Sequence, residues 1–199
     1  MNRTRLPTED GADRWDVRAF ELVAPVYDLL VPGVDVQALR KGLYSADRDT
    51  DRILDVGGGT GRYAREFDAI VVDAARKMGQ RARAKGLPVV RGDAGSLPIR
   101  DESVDAAFVV DALHHFPDRG AAIESIARVL RPGGAVVIQE FDRSTRRGRL
   151  LDVGESLFGF DSAFYTADEL VEAIEAAGLE ARPIEWGFEI TIAGVKPTR

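Results

Sequence analysis

The run Ile53-Leu54-Asp55-Val56-Gly57-Gly58-Gly59-Thr60-Gly61-Arg62 constrains this chain more than any other ten residues. Four residues that read as a buried strand pass without a spacer into a glycine cluster. Glycine tolerates positive φ and has no Cβ, so it suits a loop that a ligand approaches closely. A strand, a glycine loop and a helix start at the carboxyl edge of a parallel sheet make up the usual ligand position in α/β folds. Three chemistries compete for such a loop. A phosphate-binding P-loop ends in Gly-Lys-Ser/Thr, whereas Thr60 is followed here by Gly61 and Arg62, which speaks against it. A dinucleotide fingerprint needs glycines at its first, third and sixth positions. Counted from Gly57 the sixth residue is Arg62, and starting from Gly58 or Gly59 fits no better. The spacing that does fit is acid-x-Gly-x-Gly-x-Gly: Asp55, Gly57, Gly59, Gly61.

The rest of the pattern agrees with an α/β chain. Short apolar runs predict strands at Ile53–Val56, Ile70–Val72, Val89–Val90, Ala106–Val110 and Ala135–Ile138, with helices at Ala74–Ala84 and Ala121–Leu130 between them. The Arg131-Pro132-Gly133-Gly134 turn ends the last of these helices, because proline cannot continue it and glycine suits the turn beyond. Strands alternating with helices predict βαβ units and a mainly parallel sheet covered on both faces. Thr166 with Glu169 three residues on is a capping box that opens a helix to about Ala177, with Gly178 at its end. Strands at Ala181–Trp186 and Phe188–Ile192 are joined around Gly187 by almost no loop, which only an antiparallel pair allows. Upstream, helical spacing runs from Arg14 to Leu30, broken at Pro25, and again from Val36 to Tyr44.

Composition narrows the chemistry. The chain of 199 residues is 45% hydrophobic and 30% charged, proportions of a globular domain and not of a disordered chain. It has no cysteine, so thiolate catalysis and Cys-ligated metal centres are excluded. Its two histidines are adjacent, His114 and His115, which cannot form a multi-His metal cage; no metal is expected. The net charge of −6 lacks the basic footprint of a general nucleic-acid binder. No run of 18 apolar residues predicts a membrane span, and the first residues lack the apolar core of a signal peptide. A cytoplasmic protein is the expectation, monomer or homodimer.

From the glycine loop onward the chain resembles the class I S-adenosylmethionine-dependent methyltransferases. Asp73 ends the second strand at the place where that family's carboxylate grips both ribose hydroxyls. The stretch Asp73-Ala74-Ala75-Arg76-Lys77-Met78 is similar to the adenine-packing segment. Gly92-Asp93-Ala94 followed by Leu97-Pro98 is similar to the segment whose acid meets the adenine amino group. Val110-Asp111-Ala112-Leu113-His114-His115-Phe116 matches the exit of the fourth strand, and Leu130-Arg131-Pro132-Gly133-Gly134 the turn before the fifth. Phe20-Glu21-Leu22-Val23-Ala24-Pro25-Val26-Tyr27-Asp28 resembles the opening of the menaquinone/ubiquinone C-methyltransferases and their type-11 relatives, with glutamate at 21 for the usual aspartate.

The resemblance implies a Rossmann-like α/β fold: a mainly parallel seven-stranded sheet with an antiparallel C-terminal strand and helices on both faces. It implies one domain, with a flexible arm at 1–13, cap helices at 14–46, a cofactor-binding core at 52–141, a substrate or lid segment at 142–165 and a C-terminal helix and hairpin at 166–199. It implies S-adenosylmethionine as cofactor and S-adenosylhomocysteine as product. The cofactor would be held by Tyr27, Asp55, Gly57, Gly58, Gly59, Gly61, Asp73, Ala74, Met78, Asp93, Ala94 and Asp111. Each acid also has a plainer reading: Asp55 as an acceptor for loop amides, Asp73 as a helix cap, Asp93 as a turn residue. Met78 could equally be core filler.

His114 and His115 are the candidate bases, since imidazole titrates near neutrality. Leu113-His114-His115-Phe116 also resembles the Leu-His-Asp-Trp segment of small-molecule O-methyltransferases, whose histidine aligns with His114. Arg143, Arg146, Arg147 and Arg149, followed by Leu157, Phe158, Phe160, Phe164 and Tyr165, could clasp an acceptor with an anionic or phenolate end and an apolar tail; the plainer reading is a solvated loop and an amphipathic lid. The expected acceptor is a small molecule methylated on carbon or oxygen, of quinone or isoprenoid type. Methylation of RNA or protein, or cofactor binding without catalysis, are the alternatives. Asp111-Ala112-Leu113 differs from the Asn/Asp-Pro-Pro-aromatic motif of enzymes that methylate base amines.

Overall fold

The computed structural model describes residues 36–146, 148 and 164–198, so Tyr27 and most of the 142–165 segment lie outside the described residues. The elements in chain order are α1 (Val36–Leu43), β1 (Ile53–Val56), a 3-10 turn (Ala64–Phe67), β2 (Ile70–Asp73), α2 (Arg76–Ala84), β3 (Val89–Arg91) and β4 (Val104–Val110). They continue with a second 3-10 turn (Leu113–His115), α3 (Arg119–Val129), β5 (Leu130–Phe141), α4 (Ala167–Ala176), β6 (Glu180–Glu185) and β7 (Glu189–Val195).

The seven strands form one sheet in the order β3-β2-β1-β4-β5-β7-β6. The first five are parallel, and β7 runs antiparallel between β5 and the edge strand β6. This is the predicted mainly parallel sheet with its antiparallel C-terminal strand. The final strand of the chain is inside the sheet: its run Ile190–Val195, apolar but for Thr191, is buried throughout and pairs with β5. β6 carries Pro183 and alternates exposed charges, which suits an edge.

Side chains alternate across the sheet and build two cores. Leu54, Val72, Ala107, Val109 and Ile138 pack under α3 and α4 with Ile123, Ile126, Leu170 and Ile174. Ile53, Val71, Ala106, Phe108 and Val137 pack on the other face with Leu39 and Leu43 of α1 and Ala82 of α2. A sheet buried on both faces needs such apolar strands, and β4 is buried along nearly its whole length.

Three of the boundaries that differ from the sequence expectation have a visible cause. α2 starts at Arg76 rather than Ala74, because the Asp73 carboxylate takes the Ala75 N–H at 2.7 Å and keeps Ala75 extended. α3 starts at Arg119, capped by Asp118, whose side chain accepts from the Ala121 N–H. β5 starts at Leu130, so Arg131–Gly134 is a bulge within an extended strand and not a separate turn. Leu130 pairs with Val104 and Ala135 with Ala106, and Gly133, at φ +77°, donates its N–H to the Lys196 carbonyl beyond β7.

The capping box at α4 forms as expected: the Glu169 N–H donates to Thr166 Oγ1 at 3.2 Å and the Thr166 N–H to Glu169 Oε2 at 2.8 Å. Thr166→Ala is expected to lower stability by about 1 kcal/mol in urea unfolding, with the unfolding slope unchanged.

Candidate functional site

β1, β2 and β4 end side by side, and their carboxyl ends and the loops that follow carry the site. Gly57, Gly59 and Gly61 all take positive φ, at +73°, +56° and +72°, in the alternation the motif predicts. The loop is closed by the Gly61 N–H on the Gly58 carbonyl and anchored by the Gly57 N–H on the Val72 carbonyl, both at 2.8 Å. Gly58 is needed for a different reason: a Cβ there would come within 2.4 Å of the Asp55 carboxyl. Gly58→Ala is therefore expected to cost about 1–3 kcal/mol of stability, read by thermal or urea unfolding. Among the described residues only Met78 Sδ lies within 4 Å of where a Gly59 Cβ would stand.

Asp55 lies beneath this loop, 2% exposed. One interaction of its carboxyl is with the Ala64 backbone N–H, while Oδ2 is buried and has no hydrogen-bond partner. Burial pushes its pKa up to about 8, the Asp73 charge adds to the rise, and the Ala64 N–H opposes it. Asp73 ends β2 on the same face. Its Oδ2 accepts the Gly59 N–H at 2.8 Å and its Oδ1 the Ala75 N–H at 2.7 Å. Burial raises its pKa as well, against the pull of those two N–H groups. Asp73 thus ties the glycine loop to the start of α2, and each oxygen keeps a second lone pair.

The remaining predicted residues gather around this pair. Met78 is buried on α2 under the loop, and Ala74 is half-buried beside Asp73. Asp93 is exposed in a turn whose Gly95 N–H it accepts at 2.9 Å, and Ala94 next to it is buried. α3 holds this segment through Ser125 Oγ, which accepts the Leu97 N–H, and through Arg128, which donates to the Leu97 and Ile99 carbonyls. Asp111 leaves β4 at φ +47°, an unusual conformation for a residue with a side chain, with its N–H on the Gln139 carbonyl. Phe116 and Ala112 of the same loop press against Gly57 and join the β4 exit to the glycine loop.

Beyond Asp111 the site contains a residue that sequence reasoning missed. Glu140 of β5 is 2% exposed; its Oε1 accepts the N–H groups of Leu113 at 2.7 Å and Ala112 at 3.1 Å, and its Oε2 lies 2.7 Å from His114 Nδ1. An acid two residues after the apolar run Ala135–Ile138 was the available signal, since a charge in a buried strand needs a partner. His114 is buried, stacked on Phe164 at 4.2 Å and against His115 at 3.9 Å. Burial, with the neighbouring His114 second, pushes the His115 pKa down to about 2 and makes it a weak base. Of the predicted clasp residues, Arg143 pairs with Glu169 and Tyr165 lies under Arg119 at 4.4 Å. Arg147, Arg149, Leu157, Phe158 and Phe160 lie outside the described residues. Among the described residues no group of His, Cys, Asp or Glu is placed to hold a metal ion, and no helix is long and apolar enough to cross a membrane.

Residues 54–138, which carry this cleft, match the methyltransferase domain family. Over those residues the chain is similar to that family, and its sheet has the fold of solved S-adenosylmethionine-dependent methyltransferases. The solved structure of an S-adenosylmethionine-dependent methyltransferase from Thermotoga maritima, described as a possible histamine N-methyltransferase, shares the methyltransferase fold. Its TM-score is 0.76 at 23% identity, over 91% of this chain and 99% of that one. A demethylmenaquinone methyltransferase of Corynebacterium kroppenstedtii is 34% identical over 136 residues, 62% of this chain and 58% of that protein. An uncharacterized protein of Methanocaldococcus jannaschii is 31% identical over 132 residues, 65% of this chain and 64% of that protein. The chain spans about three fifths of the length of these relatives.

Proposed function

We propose that this domain transfers the methyl group of S-adenosylmethionine to a carbon or oxygen of a small quinol or isoprenoid-type acceptor. The observation that carries the cofactor assignment is the pair of acids around the glycine loop, Asp55 buried and Asp73 half-buried. Asp55 Oδ2 is a buried acceptor without a partner, Asp73 retains lone pairs on both oxygens, and among the described residues only Met78 Sδ comes within 4 Å of where a Gly59 Cβ would stand. A cationic ligand with two adjacent hydroxyls fits that donor and charge set. Bound there, S-adenosylmethionine supplies a methyl group already activated by its sulfonium.

In this reading Asp73 accepts from the ribose hydroxyls and Met78 and Ala74 pack the adenine, with Asp93 and Ala94 at its amino edge. Gly57, Gly58, Gly59 and Gly61 carry the amino-acid end above Asp55. Asp111 borders the cofactor. The chain acts as one domain. Its part in the chemistry is to hold the acceptor in line, an orientation effect that supplies about 7–11 kcal/mol in favourable cases. The acceptor class is supported by the demethylmenaquinone methyltransferase among the relatives.

The test is incubation with methyl-labelled S-adenosylmethionine and separate phenol, hydroquinone, naphthoquinol and polyprenyl quinol acceptors, followed by mass spectrometry. Label is expected on a quinol. Label on none of them, or on added RNA or protein instead, contradicts the acceptor assignment.

A further inference from the structure

The charges of this chain are sorted to the two ends of its sheet. Residues 62–91, which include α2 and the edge strand β3, hold eight Lys and Arg against three Asp and Glu. Residues 166–189, which include α4 and the opposite edge strand β6, hold seven Asp and Glu against one Arg. β3 and β6 are the outermost of the seven strands, so a sheet's width separates the two regions. The two helices also lie on opposite faces: α2 buries Ala82 with Leu39 of α1, and α4 buries Leu170 and Ile174 with Ile123 and Ile126 of α3. α2 has no acidic residue and exposes Arg76, Gln80 and Arg83; α4 has no basic residue and exposes Asp168, Glu172 and Glu175. Both triplets have the i, i+4, i+7 spacing of one helix face. Some of these charges oppose their own helix. Cations disfavour a helix N-terminus and anions a C-terminus, yet α2 opens on Arg76 and α4 carries Glu175 in its last turn. A partner of opposite charge offsets that local cost.

We propose that the α2 stripe of one copy of this chain docks on the α4 stripe of a second copy, joining the two head to tail. The matched spacing sets Arg76 and Arg83 against acids at both ends of the α4 stripe, with Gln80 opposite Glu172 between them, whichever way the two helices run. The contact is heterologous, because it uses different surfaces on the two copies. The stripes stand at opposite ends and on opposite faces of the sheet, so a copy seated on one leaves the other uncovered, and further copies add on. Surface ion pairs are individually weak, and the net charge of −6 repels copies at a distance. The association is therefore weak, concentration-dependent and lost in salt. It needs no ligand and is independent of the methyl-transfer reading.

Sedimentation velocity of the full chain tests this. Between about 0.02 and about 1 mM protein in about 0.03 M salt, the weight-average sedimentation coefficient is expected to rise about 1.5-fold or more, and to stay level in about 0.3 M salt. Arg76→Glu with Arg83→Glu in one variant, and Glu172→Lys with Glu175→Lys in another, are each expected to abolish the rise when measured alone. An equimolar mixture of the two variants restores it, because every stripe then finds its opposite on the other variant. Both variants keep a net negative charge, so overall attraction cannot imitate that rescue. A wild type that stays monomeric at low salt overturns the proposal. Association that survives either reversal, a species that stops at a dimer, or a mixture of folded variants that stays monomeric does so as well. If a reversal unfolds the chain, the wild-type dependence on salt and concentration decides alone.

Discussion

Asp55→Asn is expected to make the ligand-free protein more stable than the wild type at about pH 8, and to flatten its stability between about pH 5 and 7. The Asp55 carboxyl is lifted from 3.8 to about 8 by burial, with the Asp73 charge adding to it. Between those two values the folded protein keeps a proton that the unfolded chain has already lost. Unfolding therefore releases a proton in this window, and stability falls as pH rises, by about 1.4 kcal/mol per pH unit at the steepest. The cost is absent below the unfolded value and complete above the folded one. Asparagine has the shape of the protonated acid and no charge to desolvate, so it removes this slope. Urea unfolding at several pH values checks it: a wild-type profile parallel to that of Asp55→Asn would contradict a buried carboxyl under the loop. A group that lowers stability in this way is expected where function needs it, and its unpartnered Oδ2 faces the one loop built for close ligand approach.

The second large effect falls on Asp73. Asp73→Ala is expected to weaken S-adenosylhomocysteine binding by about 10²–10⁴-fold, since two hydrogen bonds to a charged group contribute about 1.5–3 kcal/mol each. Asp73→Asn keeps one acceptor oxygen and should fall between. The alanine variant also loses the tie between Gly59 and Ala75, so its urea unfolding is measured alongside to separate binding from folding. An alanine variant that binds like the wild type would remove Asp73 from the cofactor site.

The features legible in the sequence are local ones. The glycine alternation, the capping box at Thr166 and the strand that passes into Gly57 each depend on neighbours a few residues away, and all three stand in the structure. What was not legible depends on partners far along the chain. Arg131–Gly134 reads as a turn, yet Lys196 beyond β7 draws Gly133 into an extended bulge. Glu140 meets Ala112, Leu113 and His114 only because β5 lies beside β4 in a particular register, and no spacing between positions 114 and 140 announces that. Arg143 invites assignment to an anionic acceptor until Glu169 is found across from it. Local propensity determines the first group of features, and long-range pairing the second.

In the proposed reading S-adenosylmethionine binds around Asp55, Asp73 and the glycine loop. Titration calorimetry of the wild-type chain with S-adenosylhomocysteine, with NADH titrated in parallel, tests it most directly. Saturable binding of S-adenosylhomocysteine in the micromolar range and no heat from NADH is the predicted result; no binding of S-adenosylhomocysteine, or a preference for NADH, would contradict it.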